Sequence, residues 1–258
     1  MTDVQSAQRT GIAPSAVDLQ GVTKRYLGQN GVLALENIAL SVRAGEFLTL
    51  VGASGCGKST LLNLVSGLDQ PTSGSVEVNG KAAFMFQEHA LFPWLSALDN
   101  VATPLRLAGV GKKDRNTQAR EYLAAVHLAD FADRRPHELS GGMKQRVAIA
   151  RTLATQAPIL LMDEPFGALD AMTRDLLHDE LEWIWRERNL TVLFVTHNVR
   201  EAVRLGDRVV LLSSRPGRVV AEYDVAIERP RRIEDPAVAT LAGEITAALR
   251  QEVARHGA

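Results

Sequence analysis

The chain has 258 residues, of which 46 % are apolar, 23 % charged and 5 % aromatic, with a formal net charge of −1. That composition supplies an ordinary core for one large domain or two small ones, excludes a disordered or fibrous chain, and gives no global basic field for nucleic acid. The single cysteine, Cys56, excludes an internal disulfide and fits a reducing compartment, and no Cys/His cluster has metal-ligand spacing.

Residues 1–16 are polar and expected to be flexible, without the basic start and apolar stretch of a signal peptide. "AVDLQGVTKRYL" and "LALENIALSV" read as short strands, with Tyr26 in a loop after the first, and "EFLTLVG" as a buried strand entering a glycine-rich loop. The helix "KSTLLNLVSGL" follows. Turn residues Pro71, Ser73, Gly74, Asn79 and Gly80 then separate short strands, with a hairpin expected over Val76 to Phe86.

From about residue 95 to 154 the periodicity turns helical, with breaks at Gly109 to Lys113 and Arg134 to Pro136, which predicts an inserted helical subdomain. "PILLMDE", "LTVLFVTH" and "DRVVLLSS" are apolar runs without alternation, separated by helical segments, the pattern of a parallel sheet covered on both faces. The expected class is therefore α/β. Residues 226–258 read as a charged linker, "ERPRRIEDP", and an amphipathic helix with Val238, Leu241, Ile245, Leu249 and Val253 on one stripe. That helix either packs on its own domain or meets a partner. No run reaches eighteen apolar residues, so any membrane role is expected to need a partner.

"GASGCGKST", Gly52 to Thr60, fits G-x-x-x-x-G-K-[ST] between a strand and a helix. Gly52, Gly55 and Gly57 let the backbone of the loop, with Ala53, Ser54 and Cys56 between them, bring N–H groups against phosphates at a positive helix end. Lys58 is expected on the β- and γ-phosphates, the Ser59 hydroxyl on Mg²⁺, and Thr60 near the α-phosphate. Cys56 reads as a small filler.

"ILLMDEP" ends its strand with two acids, Asp163 to hold Mg²⁺ and Glu164 to polarise the attacking water. His197 alone of six histidines follows a core strand, with Thr196, at the edge where open α/β sheets place ligands. Gln87 follows "AAFMF" in the same way, so its amide could reach the metal or the water. Tyr26, beside "TKR", is a candidate stacking platform for a base. "ELSGGMKQ" adds a second anion site, with Ser140, Gly141 and Gly142 opening a helix.

With these motifs in order, residues 17–225 resemble the ATP-binding subunits of ABC transporters. The correspondence runs through Tyr26 (adenine-stacking loop), Gly52 to Thr60 (Walker A), Gln87 (Q-loop), Leu139 to Gln145 (signature), Ile159 to Asp163 with Glu164 (Walker B and general base), "GALD" at 167 to 170 (D-loop) and His197 (switch histidine). The resemblance implies a P-loop NTPase (RecA-like) core, an antiparallel β-subdomain and the helical insert. It also implies ATP and Mg²⁺, catalytic Lys58, Gln87, Glu164 and His197, and metal ligation by Ser59, Gln87 and Asp163.

Two copies are implied, head to tail, each ATP held between Walker A of one and the signature of the other. The implied setting is the cytoplasmic face of the inner membrane, beside integral permease subunits and a periplasmic or extracellular solute-binding protein, with no nucleic acid. Leu91, Phe92, Pro93 and Trp94 are expected to receive the permease. "EPFGALD" resembles importers of small solutes, and "FQEHALFPWLSALDNV" with "SSRPGRVV" resembles the nitrate, sulfonate and taurine importers in particular. An exporter or lipid-transporter ATPase and a non-transport ABC protein are the alternatives. No regulatory domain of the carbohydrate-importer kind is expected after residue 225.

Overall fold

The computed structural model describes residues 15–27, 31–167 and 169–256. Residues 1–14 of the flexible segment expected over residues 1–16, and Ala168 of the "GALD" stretch, lie outside the described residues. Strands β1 (Ser15–Tyr26) and β2 (Val32–Arg43) pair antiparallel, and β3 (Phe47–Val51) runs into the glycine-rich loop and α1 (Lys58–Val65). Ser15 and Ala16, expected in the loose segment, begin β1, where Ala16 is buried.

β4 (Ser73–Val78) pairs antiparallel with β1, giving a three-stranded sheet in the order β2-β1-β4. β5 (Ala82–Met85) belongs to a second, six-stranded sheet. The hairpin expected over Val76 to Phe86 is therefore absent: Asn79 and Gly80 carry the chain from one sheet to the other. Turn chemistry reveals a reversal but not which strand receives the chain after it.

Next come α2 (Ala97–Leu107), α3 (Lys112–Ala125) and α4 (Gly141–Leu153), the helical insert. β6 (Ile159–Asp163), α5 (Ala171–Arg188), β7 (Thr191–Val195), α6 (Val199–Leu205), β8 (Arg208–Leu212), β9 (Val219–Asp224) and α7 (Pro236–His256) complete the chain. The large sheet has the order β5-β6-β7-β3-β8-β9, parallel throughout except for the antiparallel edge strand β9.

Every residue of β3, β6 and β7 is buried, and consecutive side chains enter opposite cores. Phe47, Leu160, Met162, Val192 and Phe194 join the core formed with α2 to α5, while Leu48, Leu50, Leu161, Leu193 and Val195 join the core under α1 and the small sheet. The strand period of two is intact, although no polar residue marks it in the sequence. Edge-on aromatic packing of Phe47 against Trp185, centroids 5.6 Å apart, fixes α5 on the sheet.

α7 covers α6 and β8 with Val238, Ala242 and Ile245, the mode of packing back on its own domain, whereas Val253 of the expected stripe stays exposed. No helix among the described residues is long and apolar enough to cross a membrane.

The charged linker hides a structural arginine. Arg231 is buried and donates to the carbonyls of Val203, Gly206, Val225 and Ile227 at 2.6–3.0 Å, closing the end of α6 against the linker. Burial, with the neighbouring Arg229 charge second, pushes its guanidinium down to about 10, so it remains a cation at neutral pH. Arg231→Ala strands several buried carbonyls and is expected to cost about 2–3 kcal/mol, lowering the thermal midpoint by roughly 5–10 °C. Thermal denaturation followed by circular dichroism checks this, and an unchanged midpoint would remove the proposed brace.

Candidate active site

β3, β5, β6 and β7 run parallel and end at one edge, so the loops after them share a single crevice, the usual ligand position of an open α/β sheet. The cleft there has a volume of about 390 Å³. Its floor is Ser54, Gly55, Gly57, Lys58, Ser59 and Thr60; Tyr26, Val32 and Ala34 form one wall; Gln87, Asp163 and Glu164 face them, and Arg215 closes the rim.

The floor is a backbone cradle. Gly57 caps α1 at φ 108°, and a Cβ there would stand 2.6 Å from Leu35 Cδ2 and 2.9 Å from the Ala34 carbonyl, so only glycine fits. The first N–H groups of α1, which have no partner inside the helix, point from this turn. Lys58 is buried and donates to the carbonyls of Gly52 at 2.9 Å and Ala53 at 3.0 Å. Its third donor makes only a long contact to Cys56 Sγ at 3.8 Å, so the cradle holds the ammonium in place and an anion would have to displace no more than this weak sulfur contact. Burial pushes the Cys56 thiol up, against the opposing Lys58 charge, which makes it a filler rather than a nucleophile.

Asp163 ends β6 and is buried. Desolvation raises its carboxyl above the usual range and the Glu164 charge adds to this, while a hydrogen bond with Ser59 and the Lys58 ammonium oppose it. Ser59, Asp163 and Gln87 together offer the cleft a hydroxyl, a carboxylate and an amide oxygen, hard donors of the kind Mg²⁺ selects.

Glu164 adopts φ 48°, a left-handed conformation that stores ~1–3 kcal/mol in a non-glycine residue. Its N–H donates to the Val195 carbonyl of β7 at 3.0 Å, which holds the strained turn. The Glu164 Oε2 lies 3.1 Å from His197 Nδ1, so the acid after β6 and the histidine after β7 meet although 33 residues apart. Asn198 caps α6 by accepting from Arg200 and Glu201 N–H groups, which sets where the His197 turn sits.

Ser140, Gly141 and Gly142 stand elsewhere. None lines the cleft; Ser140 caps α4 by accepting from Met143 N–H at 3.3 Å, and Ser140 and Gly141 are exposed. Tyr26 is the last residue of β1 and not in a loop, because Val32 pairs with it. Its hydroxyl donates to Asp69 at 3.1 Å and Lys24 Nζ lies 4.9 Å from its ring centroid, which fixes the ring at the cleft wall. Leu91 packs on the helical core, so only Phe92, Pro93 and Trp94 of the expected apolar cluster face outward. Val32, Ala34 and Arg215 are lining residues that sequence reading did not single out. The Pro-Gly turn after a core strand was the available signal for Arg215.

The family described as ABC transporter matches residues 35–167. The nitrate import ATP-binding protein NrtD of Synechocystis sp. is 46 % identical over 218 residues, covering 81 % of this chain and 82 % of that protein. The taurine import ATP-binding protein TauB of Burkholderia thailandensis is 48 % identical over 213 residues, covering 79 % and 82 %. Among solved structures, the dimeric ATP-binding cassette MJ0796 bound to ADP and Pi in a post-hydrolysis state is similar, with TM-score 0.77, 37 % identity, and coverage of 82 % of this chain and 100 % of that one.

Gly57→Ala tests the cradle. The added methyl meets a backbone carbonyl and a backbone conformation that L-residues avoid, so ATP affinity by calorimetry is expected to fall at least tenfold while far-UV circular dichroism is unchanged. Wild-type affinity in this variant would show that the loop tolerates a side chain and is not the tight phosphate cradle described.

Proposed function

Since the chain belongs to the ABC transporter ATP-binding family and is the ATPase of an importer, we propose that two copies work head to tail at the cytoplasmic face of a membrane, driving uptake of a small anion such as nitrate, taurine or another sulfonate. One observation carries the dimer: the cleft gathers Lys58, Ser59, Asp163 and Glu164, yet the second anion-binding helix start at Ser140 does not line it. A lone copy has half a site.

In this reading the loop N–H groups and Lys58 hold the β- and γ-phosphates, and the Tyr26 ring, with Lys24 on one face, takes adenine on the other. Ser59, Asp163 and Gln87 would hold Mg²⁺, which would supply charge neutralisation to the phosphate chain. Glu164 accepts a proton from the attacking water as the bond from the γ-phosphorus to the bridging oxygen breaks, releasing ADP and phosphate. His197, against Glu164, orients that carboxylate and contacts the γ-phosphoryl group. Ser140 and the Gly141 and Gly142 N–H groups of the second copy close over the γ-phosphate, so ATP binding favours the closed dimer and hydrolysis releases it.

The motion leaves through the loop after Gln87. Buried Asn100 pins that loop by accepting from Phe92 N–H and donating to the carbonyls of Phe92, Leu95 and Ser96. Arg151 of α4 donates to the carbonyls of His89 and Ala90, which ties the loop to the helix that Ser140 opens. Phe92, Pro93 and Trp94 are thus presented on a braced support for permease subunits, with a solute-binding protein delivering the anion on the far side.

Glu164→Gln is expected to keep ATP binding, lower turnover by at least a hundredfold, and accumulate an ATP-bound dimer by size-exclusion chromatography; turnover at wild-type rate would remove Glu164 as the base. Ser140→Arg and Lys58→Ala are each expected to be inactive alone, while their mixture regains part of the activity from the one composite site built of intact halves. Absence of recovery would count against sharing between subunits.

A further inference from the structure

The loop joining β8 and β9 lies against the phosphate loop. Gly217 N–H donates to the Ala34 carbonyl and Glu36 N–H donates to the Gly217 carbonyl, both at 2.9 Å, which stitches the turn to β2. A Cβ on Gly217 would stand 2.2 Å from the Cys56 carbonyl, so the turn touches the phosphate loop through bare backbone. Ser213 braces the turn from inside, donating to the Pro216 carbonyl at 2.8 Å and accepting from Arg218 N–H at 2.9 Å.

Arg215 projects from this turn. Its Nε donates to the Gly55 carbonyl at 3.2 Å, and a Cβ on Gly55 would meet its Nη2 at 3.2 Å. Besides Lys58 it is the other cation lining the cleft. Arg218, three residues on, pairs with Glu36, whereas no carboxylate pairs with Arg215 among the described residues. An arginine on a preorganised turn, with one N–H spent on the phosphate loop and the rest of its fork free at the rim, is arranged to bind an anion lying in the loop.

We propose that Arg215 is an additional nucleotide-binding residue, supplied by the β8–β9 turn, whose guanidinium engages the phosphate chain of the bound nucleotide. This rests on the reading of the cleft as the ATP site. It makes the site three-sided: the loop and Lys58 grip from below, the acids and Gln87 from one flank, and Arg215 from the rim.

The test is equilibrium competition against a fluorescent ATP analogue by wild type, Arg215→Gln, Arg215→Lys and Lys58→Ala, with tripolyphosphate and adenosine as the competing probes. Arg215→Gln is expected to weaken ATP and tripolyphosphate about tenfold and leave adenosine unchanged, with partial recovery in Arg215→Lys and a smaller difference at high salt. Unchanged tripolyphosphate affinity, or an equal loss for adenosine, would overturn the proposal and leave Arg215 as a brace on Gly55. Lys58→Ala separates the two readings: loss of ATP there with none in Arg215→Gln sinks only this inference, and wild-type binding by Lys58→Ala sinks the ATP site itself.

Discussion

Two opposite charges, Lys58 and Asp163, are buried at the same edge of a parallel sheet, and the rest of the molecule is arranged around keeping them there. An isolated ion in that position would be expelled or neutralised. Here the ammonium is held by two loop carbonyls, and Ser59 and Lys58 offset the cost of burying the carboxylate, so each is stabilised by protein groups rather than water. Such stabilisation works only if the groups cannot relax away. The central position of β3, hydrogen-bonded to β7 on one side and β8 on the other, supplies that rigidity.

The same strands carry mechanical consequences outward. Glu164 is strained and its backbone is bonded to β7, so its carboxylate position depends on the register between β6 and β7. His197 follows β7 directly and touches that carboxylate. Behind them, buried His178 of α5 meets Glu201 of α6 at 2.8 Å and Arg204 of α6 pairs with Asp179 of α5, so the helices that follow these two turns are joined by polar contacts. A change at the phosphate end therefore acts on elements that are bonded together, which is the physical condition for transmitting it.

How much of this could be read beforehand depended on whether the information was local. The apolar runs of β3, β6 and β7 and the spacing of Gly52 to Thr60 are local, and they suffice to put Lys58, Asp163, Glu164 and His197 on one sheet edge from the sequence alone. The Val76 to Phe86 stretch was misread because two strands joined by a tight turn look alike whether they pair or part. Arg231 is not distinguished within the charged linker because its partners are carbonyls at the end of α6, of Val225 and of Ile227, which no side-chain pattern announces. Arg215 was missed for the same reason: the significance of "SSRPGR" lies in its contact with Gly55, 160 positions away.

The exposed start of α4 is where these constraints leave a deliberate gap. A capped helix N-terminus with two glycines behind its serine has the form of an anion site, yet none of these residues lines the cleft of its own chain. Burying Lys58 and Asp163 fixes one half of the proposed site in the fold, and in the proposed dimer Ser140 to Gly142 make the second half conditional on another copy. A permanent complete site would hydrolyse ATP continuously. In the proposed dimer, splitting it between a rigid floor and a removable lid would make hydrolysis wait for association, a motion that the loop braced by Arg151 would pass on through Phe92 to Trp94.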